Sequence, residues 1–311
     1  MEAAHKAPIA KDAPRHSGLV QRLAFYSIPV ACLVLVLKLA AWWLTGSVAL
    51  FSDAIETVVN VFAAVAAYGA IRYSRKPADE DHHFGHYKAE YFSAVLEGVL
   101  IVLAALLIAR AALAGMAAPV LPHAPLAGLV VNALGGVVNG VWAYVLIRSG
   151  RQHRSPALVA DGRHIYTDVL TSIGVIVGLV LALATGWAIL DPLIALLVAA
   201  NIVWEGWKVI SESVNGLMDR AAAPEDIERI KTIISENAAG SLGVHDLKTR
   251  VAGPATFIDF HMVVPRSMSV ADAHAICDRL EEAIMAHVPG ASIAIHVEPR
   301  GEEAHGINVR L

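Results

Sequence analysis

Residues 91–115 read YFSAVLEGVLIVLAALLIARAALAG, a run in which only Glu97 and Arg110 are charged. An α-helix needs about 20 predominantly apolar residues to cross the hydrocarbon core of a bilayer, so this run predicts a membrane span. The whole chain shares the bias, since 56% of its 311 residues are hydrophobic and 17% are charged, whereas soluble domains carry about 25% charged residues. Together with a net charge of −4, the composition excludes a disordered chain, a nucleic-acid binder and an ordinary soluble enzyme.

Further apolar runs of similar length predict an α-helical membrane domain with six spans. The predicted spans cover residues 25–45, 48–72, 91–115, 126–148, 164–186 and 190–211. Lys and Arg gather in the loops after spans 2 and 4, while the loops after spans 1, 3 and 5 contain neither. Because positively charged loops stay in the cytoplasm, this asymmetry predicts that both termini are cytoplasmic.

The composition divides the chain into three parts. Residues 1–22 form a polar N-terminal tail without the features of a cleaved signal peptide, and residues 23–216 contain the spans. Residues 217–311 contain no apolar run that could cross a bilayer, and their periodicity predicts a cytoplasmic α+β domain of order α-β-β-α-β, with one open sheet and its helices on one face. Its elements are predicted at residues 224–237, 244–251, 255–264, 270–287 and 292–297.

Polar and ionisable side chains inside predicted spans 2 and 5 form two groups. Asp53, Glu56 and Asn60 are spaced three and four residues apart, which places them on one helix face. His164 and Asp168 are also spaced four apart. Ionisable residues are costly inside a membrane and indicate function, and four nitrogen and oxygen ligands suit a tetrahedral zinc site. The alternative is a polar network that only fixes helix packing, and for Asp53 a capping role is as well supported as a ligand role.

Other polar side chains in the spans predict structural contacts. Glu97 in span 3, with Asn132 and Asn139 in span 4, is expected to form interhelical hydrogen bonds. Lys38 and Arg110 lie close enough to the ends of their spans for the charged groups to reach the membrane interface.

The chain has 14 His and only 2 Cys, so a metal site would use imidazole and carboxylate ligands rather than thiolates. Asp79, His82 and His86 follow span 2 at spacings of three and four, and this His-rich acidic tract favours a second metal site over a solvated loop. The predicted strands and second helix of the tail carry further candidates, each of which alone is more typical of a surface residue. They are His245, His261, His274, His296 and Glu298.

These residues and their surroundings resemble the cation diffusion facilitator family, most closely its bacterial ferrous-iron and zinc efflux branch. The resemblance covers nearly the whole chain. It rests on the HxxxD motif of His164 and Asp168, on KPADEDHHFGHYKAE at 76–90, and on tail segments that include VHDLKTR at 244–250 and IHVEP at 295–299. It implies six spans, a ferredoxin-like cytoplasmic domain for metal binding and dimerisation, and a homodimer in the bacterial inner membrane.

The implied activity is export of a divalent transition metal from the cytoplasm by proton antiport with alternating access. Zn²⁺ and Fe²⁺ are the first candidates, and Co²⁺, Cd²⁺ and Mn²⁺ remain open. The metal ions and protons would be substrates, so the resemblance implies a secondary transporter without a prosthetic group rather than an enzyme.

By position, the resemblance implies three metal sites and one charge link between subunits. The transport site would be Glu56, Asn60, His164 and Asp168, with Asp53 beside it; the loop site Asp79, His82 and His86; the tail site His245, His261, His274, His296 and Glu298; and the charge link Lys88 with Asp219.

The candidate transport site departs from the usual pattern of the branch, which has Asp-x-x-x-Asp where this chain has Glu56 and Asn60. The site therefore has one carboxylate fewer, and we expect weaker attraction for the cation and a shifted choice of metal. The imidazole of His164 still favours Zn²⁺, Fe²⁺ or Co²⁺ over Mg²⁺ and Ca²⁺, which prefer oxygen ligands.

Two other functions are open to the same residues. One is an intramembrane metal-dependent hydrolase with Glu56 as its base, although the spans contain no His-Glu-x-x-His motif. The other is a metal-sensing scaffold that binds metal only through its tail. The scaffold predicts that substitutions in spans 2 and 5 leave function intact.

Overall fold

The computed structural model describes residues 17–45, 48–117, 126–187 and 189–301, together with 306, 307 and 309. Within the helices, some side chains lie outside the described part, among them those of Asp53, Glu56 and Asn132. The chain forms two compact units. One comprises His16–Lys76 and Lys88–Val214, and the other contains Pro77–Tyr87 and Asn215–Leu311.

The first unit is built from long helices. They are α1 (Ser17–Thr45), α2 (Val48–Ser74), α3 (Ala89–Ala117), α4 (Leu126–Gln152), α5 (Pro156–Thr185) and α6 (Leu190–Leu217). Within the described residues, three of these helices contain a segment long and apolar enough to cross a membrane, at Gly18–Ala40, Ala89–Ala117 and Pro192–Leu217. The predicted helices are therefore all present, whereas a count of six spans stays a prediction.

Small residues let these helices pack closely. A Cβ on Gly98 of α3 would lie 3.2 Å from the carbonyl oxygen of Gly206 on α6, and a Cβ on Gly206 would lie 3.2 Å from that of Gly98. Large apolar side chains face outward instead, as with Phe62 and Trp204, which are 70% and 65% exposed. A surface of this kind suits lipid as its solvent.

The structure corrects two predictions about this unit. α5 begins at Pro156, ahead of the predicted start of span 5 at residue 164, so Asp161 and Arg163 belong to the helix. The prediction for Lys38 was wrong, because its side chain is 2% exposed and lies inside the unit. A buried lysine is held by its neighbours rather than by the membrane interface.

The second unit has the predicted order α-β-β-α-β. Its elements are α7 (Pro224–Asn237), β1 (Gly243–Ala252), β2 (Ala255–Val264), α8 (Val270–His287) and β3 (Ala291–Pro299). The sheet order is β1-β2-β3, with β1 antiparallel to β2 and β3 parallel to β2. A parallel neighbour needs a crossover, and α8 provides it. Both helices pack on one face of the sheet, where Ile234, Phe260 and Leu280 belong to a single core.

Alternation along β2 separates this core face from an open face. Phe260 and Met262 are buried in the core, and His261 between them points to the other side. Register pairs His245 with His261 and His261 with His296. The three imidazoles therefore form a row across the open face.

Candidate metal centres

Polar residues of α2 and α5 meet inside the helical unit. Asn60, His164 and Asp168 are each at most 4% exposed, and we call them the intramembrane cluster. Asn60 bridges the other two, because its Nδ2 donates to Oδ2 of Asp168 and its Oδ1 lies 2.6 Å from Nε2 of His164. An amide oxygen can only accept, so Nε2 of His164 carries the proton of this bond.

The second imidazole nitrogen of this cluster faces a different situation. Nδ1 of His164 is buried and has no hydrogen-bond partner among the described residues. A neutral imidazole protonated at Nε2 presents a lone pair at Nδ1, which is the form that binds a metal. The structure thus brings together three of the four residues predicted for the transport site. The side chains of the fourth, Glu56, and of the neighbouring Asp53 lie outside the described residues.

The predicted loop residues also meet, and we call Asp79, His82 and His86 the loop cluster. Their potential ligand atoms lie within 4.8 Å of one another. Nδ1 of His82 is 3.3 Å from Oδ1 of Asp79, and Nε2 of His86 is 3.3 Å from Oδ2. Desolvation raises the pKa of Asp79, but hydrogen bonds from His82 and the charge of His86 outweigh it and hold that pKa below its ordinary value. Asp79 therefore stays ionised and available to a cation at neutral pH.

Aromatic contacts fix this loop to the β-hairpin of the same unit. The rings of Phe84 and Phe257 meet edge to face with centroids 5.5 Å apart. The guanidinium of Arg250 lies 4.5 Å from the Phe84 ring and 4.1 Å from the Phe257 ring. Tyr87 packs against the end of the hairpin as well. The loop cluster is thus held to the α+β domain, while Asp79 and His82 remain exposed.

Three of the five predicted tail residues form a compact group on the open face of the sheet. The potential ligand atoms of His245, His261 and Glu298, the tail cluster, lie within 4.8 Å of one another. Oε1 of Glu298 is 2.8 Å from Nδ1 of His261, and Oε2 is 3.4 Å from Nε2 of His245. Oε2 of Glu298 and Nε2 of His245 are both buried and make no hydrogen bond within the described chain. Two buried polar atoms that face each other in this way fit a shared cation.

The other two predicted tail residues are more peripheral. His296 is 68% exposed, with its Nε2 3.6 Å from Oε1 of Glu298. His274 lies on α8, 62% exposed, with its Nε2 3.6 Å from Asp278. This single chain does not bring His274 into the tail cluster, so its role as a ligand stays a prediction. The charge link also stays a prediction, and Asp219 lies 3.5 Å from Arg250 in the same chain.

Sequence reasoning missed Asp246 at the tail cluster. Simple alternation puts Asp246 on the face opposite His245, but a β-bulge lies between His245 and Lys248, and Asp246 adopts a left-handed φ of 51°. Its Oδ2 is 3.7 Å from Nε2 of His261 and 2.6 Å from Nζ of Lys248. The hydrogen bond from Lys248 lowers the pKa of Asp246, against desolvation and with help from the nearby positive charges.

Sequence reasoning also missed buried carboxylates in the helical unit. Glu90 accepts hydrogen bonds from the hydroxyl groups of Ser74, at 2.9 Å, and Ser155. Asp161 accepts one from Ser27 at 2.8 Å. The prediction that Glu97 forms an interhelical hydrogen bond was wrong for the part of the chain that is described, where neither of its carboxylate oxygens has a partner. A predicted span 5 that began at Pro156, where α5 begins, would have included Asp161.

Comparison with known sequences identifies the architecture. Residues 24–218 match the cation efflux transmembrane domain, and residues 222–300 match the cytoplasmic domain of cation efflux proteins. The chain belongs to the cation diffusion facilitator family. The predicted resemblance is thereby confirmed, and the helical unit is the transmembrane domain of a cation efflux transporter.

Individual relatives cover nearly the whole facilitator. An uncharacterized transporter of Synechocystis sp. is 39% identical over 281 residues, which is 90% of this chain and 91% of that protein. The cation-efflux pump FieF of Cronobacter sakazakii is 33% identical over 287 residues, which is 91% of this chain and 94% of the pump. A solved structure of CzrB, a candidate zinc transporter, in its zinc form is 46% identical and covers 28% of this chain and 99% of that chain, with a TM-score of 0.27.

Proposed function

We propose that this facilitator exports divalent transition-metal ions from the cytoplasm, Zn²⁺ first and Fe²⁺ second, in exchange for protons. The observation that carries the proposal is the intramembrane cluster, in which a buried amide hydrogen-bonds to a buried imidazole and to a buried carboxylate. Ionisable residues at membrane depth mark ion pathways. An imidazole with carboxylate and amide oxygens selects Zn²⁺, Fe²⁺ or Co²⁺ over Mg²⁺ and Ca²⁺.

Proton coupling follows from the chemistry of the same cluster. A metal binds only to deprotonated ligand atoms, so a cation can occupy the cluster only when Nδ1 of His164 and the carboxylate of Asp168 carry no proton. Binding of a cation therefore releases protons, and reprotonation from the other side expels the cation. Imidazole suits such a cycle because its ordinary pKa lies near 6.5, within the working range of cells.

The proposed topology has six spans with both termini in the cytoplasm of a bacterial inner membrane. The Lys and Arg distribution supports this orientation, and α2, α4 and α5 have the extent of spans although they contain more polar residues than α1, α3 and α6. In this topology the loop and tail clusters both face the cytoplasmic metal pool. They would then report metal supply to the transport domain.

We also propose that the protein works as a homodimer with alternating access. In the dimer, His274 and His296 would join the tail cluster near the interface, and Lys88 would pair with Asp219 across it. Metal at the tail clusters would hold the two tails together and raise activity when metal is plentiful.

The decisive experiment is uptake into inverted membrane vesicles, with Zn²⁺, Fe²⁺, Mn²⁺, Co²⁺ and Cd²⁺ tested in parallel, with and without a pH gradient. His164→Ala should abolish uptake, and His287→Ala is the matched control, because His287 is an exposed histidine on α8 whose Nδ1 lies 2.8 Å from the Ala283 carbonyl oxygen. If His164→Ala vesicles still move metal at the wild-type rate, the transport site is misassigned. If only tail variants such as His261→Ala lose function, the metal-sensing scaffold is the better description.

A further inference from the structure

Glu97 is a fully buried carboxylate of the transmembrane domain that has no role in the proposed transport site. Its residue is 0% exposed, and neither Oε1 nor Oε2 has a hydrogen-bond partner in the described chain. The buried hydroxyl of Ser93, one helical turn earlier on α3, lies near enough to act on Glu97 but makes no hydrogen bond of good geometry within the described chain. Burying an ionised carboxylate in this way is very costly, so a buried group of this kind carries a proton or contacts a cation.

A second buried carboxylate lies on α5, which packs against α3 through Ala160 and Ala94. Asp161 is 2% exposed, and its negative charge acts on Glu97. The Oγ of Ser27 donates to Asp161 at 2.8 Å and accepts from Nε1 of Trp142 at 2.9 Å. The hydrogen bonds of Asp161 therefore connect α5 to α1 and, through Ser27, to α4.

Among the described residues, the hydrogen bonds and ion pairs found for these two carboxylates include no positively charged group. Ala94, Ala160 and Val209 form a small apolar core. Ala94 lies one helical turn before Glu97 on α3, and Ala160 directly precedes Asp161 on α5. Arg163, the nearest arginine along α5, is paired with Glu212 of α6 at 2.9 Å. From α1 the neutral hydroxyl of Ser27 contacts Asp161, and Trp142 of α4 contacts that hydroxyl. Two adjacent buried carboxylates in such a setting cannot both be ionised cheaply.

The pair also has a defined position relative to the intramembrane cluster. Asp161 precedes His164 by three residues on α5, which corresponds to about 4.5 Å along the helix axis. Asp161 is therefore nearer to the N-terminal end of α5 at Pro156. In the proposed orientation that end is cytoplasmic, so the pair lies between the intramembrane cluster and the cytoplasm.

We propose that Glu97 and Asp161 form a proton-holding site that is separate from the cation ligands. This inference rests on the proposed exchange of metal for protons. The pair keeps a proton between transport events. It gives that proton to cytoplasmic water when a divalent cation binds at the intramembrane cluster and adds positive charge nearby. One part of the exchanged protons thus comes from residues that never bind the metal.

The test compares Glu97→Gln and Asp161→Asn with Glu205→Gln, a matched control that removes a half-buried glutamate of α6. Purified protein in detergent is titrated with Zn²⁺ in weak buffer, and released protons are counted with a pH indicator beside the zinc affinity. We expect Glu97→Gln to keep the zinc affinity, to release fewer protons per zinc, and to flatten the pH dependence of vesicle uptake. Glu205→Gln should match the wild type in all three.

Infrared difference spectra on zinc binding give a second readout. The wild type should lose the carbonyl-stretch band of a protonated carboxyl group, and Glu97→Gln should lack this change. The proposal is overturned if Glu97→Gln keeps the band, the proton count and the pH profile of the wild type. Should Glu97→Gln fail to fold, Asp161→Asn is judged by the same criteria.

The readouts also distinguish this proposal from the proposed function. A wild-type protein that moves no metal contradicts the function, while the infrared band of Glu97 still decides whether the pair holds a proton. A wild-type protein that transports metal with unaltered variants contradicts only the proton site.

Discussion

The intramembrane cluster and the tail cluster use similar ligand types in opposite ways. In the membrane, Asn60 hydrogen-bonds to both His164 and Asp168, and one atom of this cluster, Nδ1 of His164, is buried without a hydrogen bond within the described chain. In the tail, Glu298 lies between His245 and His261, and two buried atoms of this group have no hydrogen bond within the described chain. Each buried unsatisfied atom costs about 1–3 kcal/mol, so an empty membrane cluster, with one such atom, costs less than an empty tail cluster, with two. We therefore propose a site for passage in the membrane and a site for retention in the tail.

The largest expected effect comes from a substitution that removes a ligand of the passage site alone. His164→Ala removes the only imidazole of the intramembrane cluster and should lower zinc uptake by about 100-fold or more, since even indirect supports of a metal site are worth 10- to 100-fold. Inverted vesicles report the rate, and hydrogen exchange of the tail amides should be unchanged by the substitution. Loss of uptake with His287→Ala as well would point to general damage.

The retention site is tested by stabilisation of the tail. Zinc at about 100 times its Kd should stabilise the α+β domain by about 2.7 kcal/mol, and His261→Ala should remove most of this gain. Slower hydrogen exchange of the β1 and β2 amides on adding zinc measures the effect. An equal zinc-induced slowing in His261→Ala would show that the tail cluster does not hold the metal.

A substitution that makes the membrane site more like a retention site sharpens the comparison. Asn60→Asp restores the carboxylate usual in the branch and removes the amide donor to Asp168, so two carboxylates repel unless a cation lies between them. We expect zinc to bind about tenfold more tightly, or about 1.4 kcal/mol, and the maximal uptake rate to fall because release slows. Competition with a zinc chelator gives the affinity. Unchanged affinity with faster uptake would contradict the role assigned to Asn60.

The sequence predicted the helices and strands well because their periodicity is local. Alternation along β2 placed His261 opposite Phe260 and Met262, as the structure has it. Sequence periodicity could not predict departures from a regular pattern. The bulge that brings Asp246 to His261 requires the register with β2, and the repulsion between Glu97 and Asp161 requires the packing of α3 on α5. The prediction that Lys38 reaches the membrane interface was wrong because it followed the usual behaviour of a lysine near the end of a span.

The attachment of the loop cluster to the tail predicts a smaller effect. Phe84→Ala removes the edge-to-face pair with Phe257 and the contact with Arg250, which are together worth about 1–2 kcal/mol. The loop should then exchange its amide hydrogens faster, and zinc should bind more weakly at Asp79, His82 and His86. Phe92→Ala, an exposed aromatic on α3, is the control. Equal exchange in both variants would show that the aromatic contacts do not hold the loop.

The smallest expected effect concerns Asp246, which sharpens how the bulge supports the tail cluster. The hydrogen bond from Lys248 holds the pKa of Asp246 below its ordinary value, so the folded domain binds this proton less readily than the unfolded chain. Its stabilisation is therefore fully present above a pH of about 4 and is lost as the pH falls through the lower folded value. Asp246→Asn should speed hydrogen exchange of the β1 amides slightly at neutral pH, relative to the wild type, and this difference should shrink below a pH of about 4. A difference that grows in acid would mean that Asp246 is not the ionised partner of Lys248. The carboxylate of Asp246 also lies beside His261, so Asp246→Asn should weaken zinc binding in the tail. Vesicle uptake at saturating zinc should stay nearly unchanged. A single substitution would then affect the retention site and leave the passage site intact.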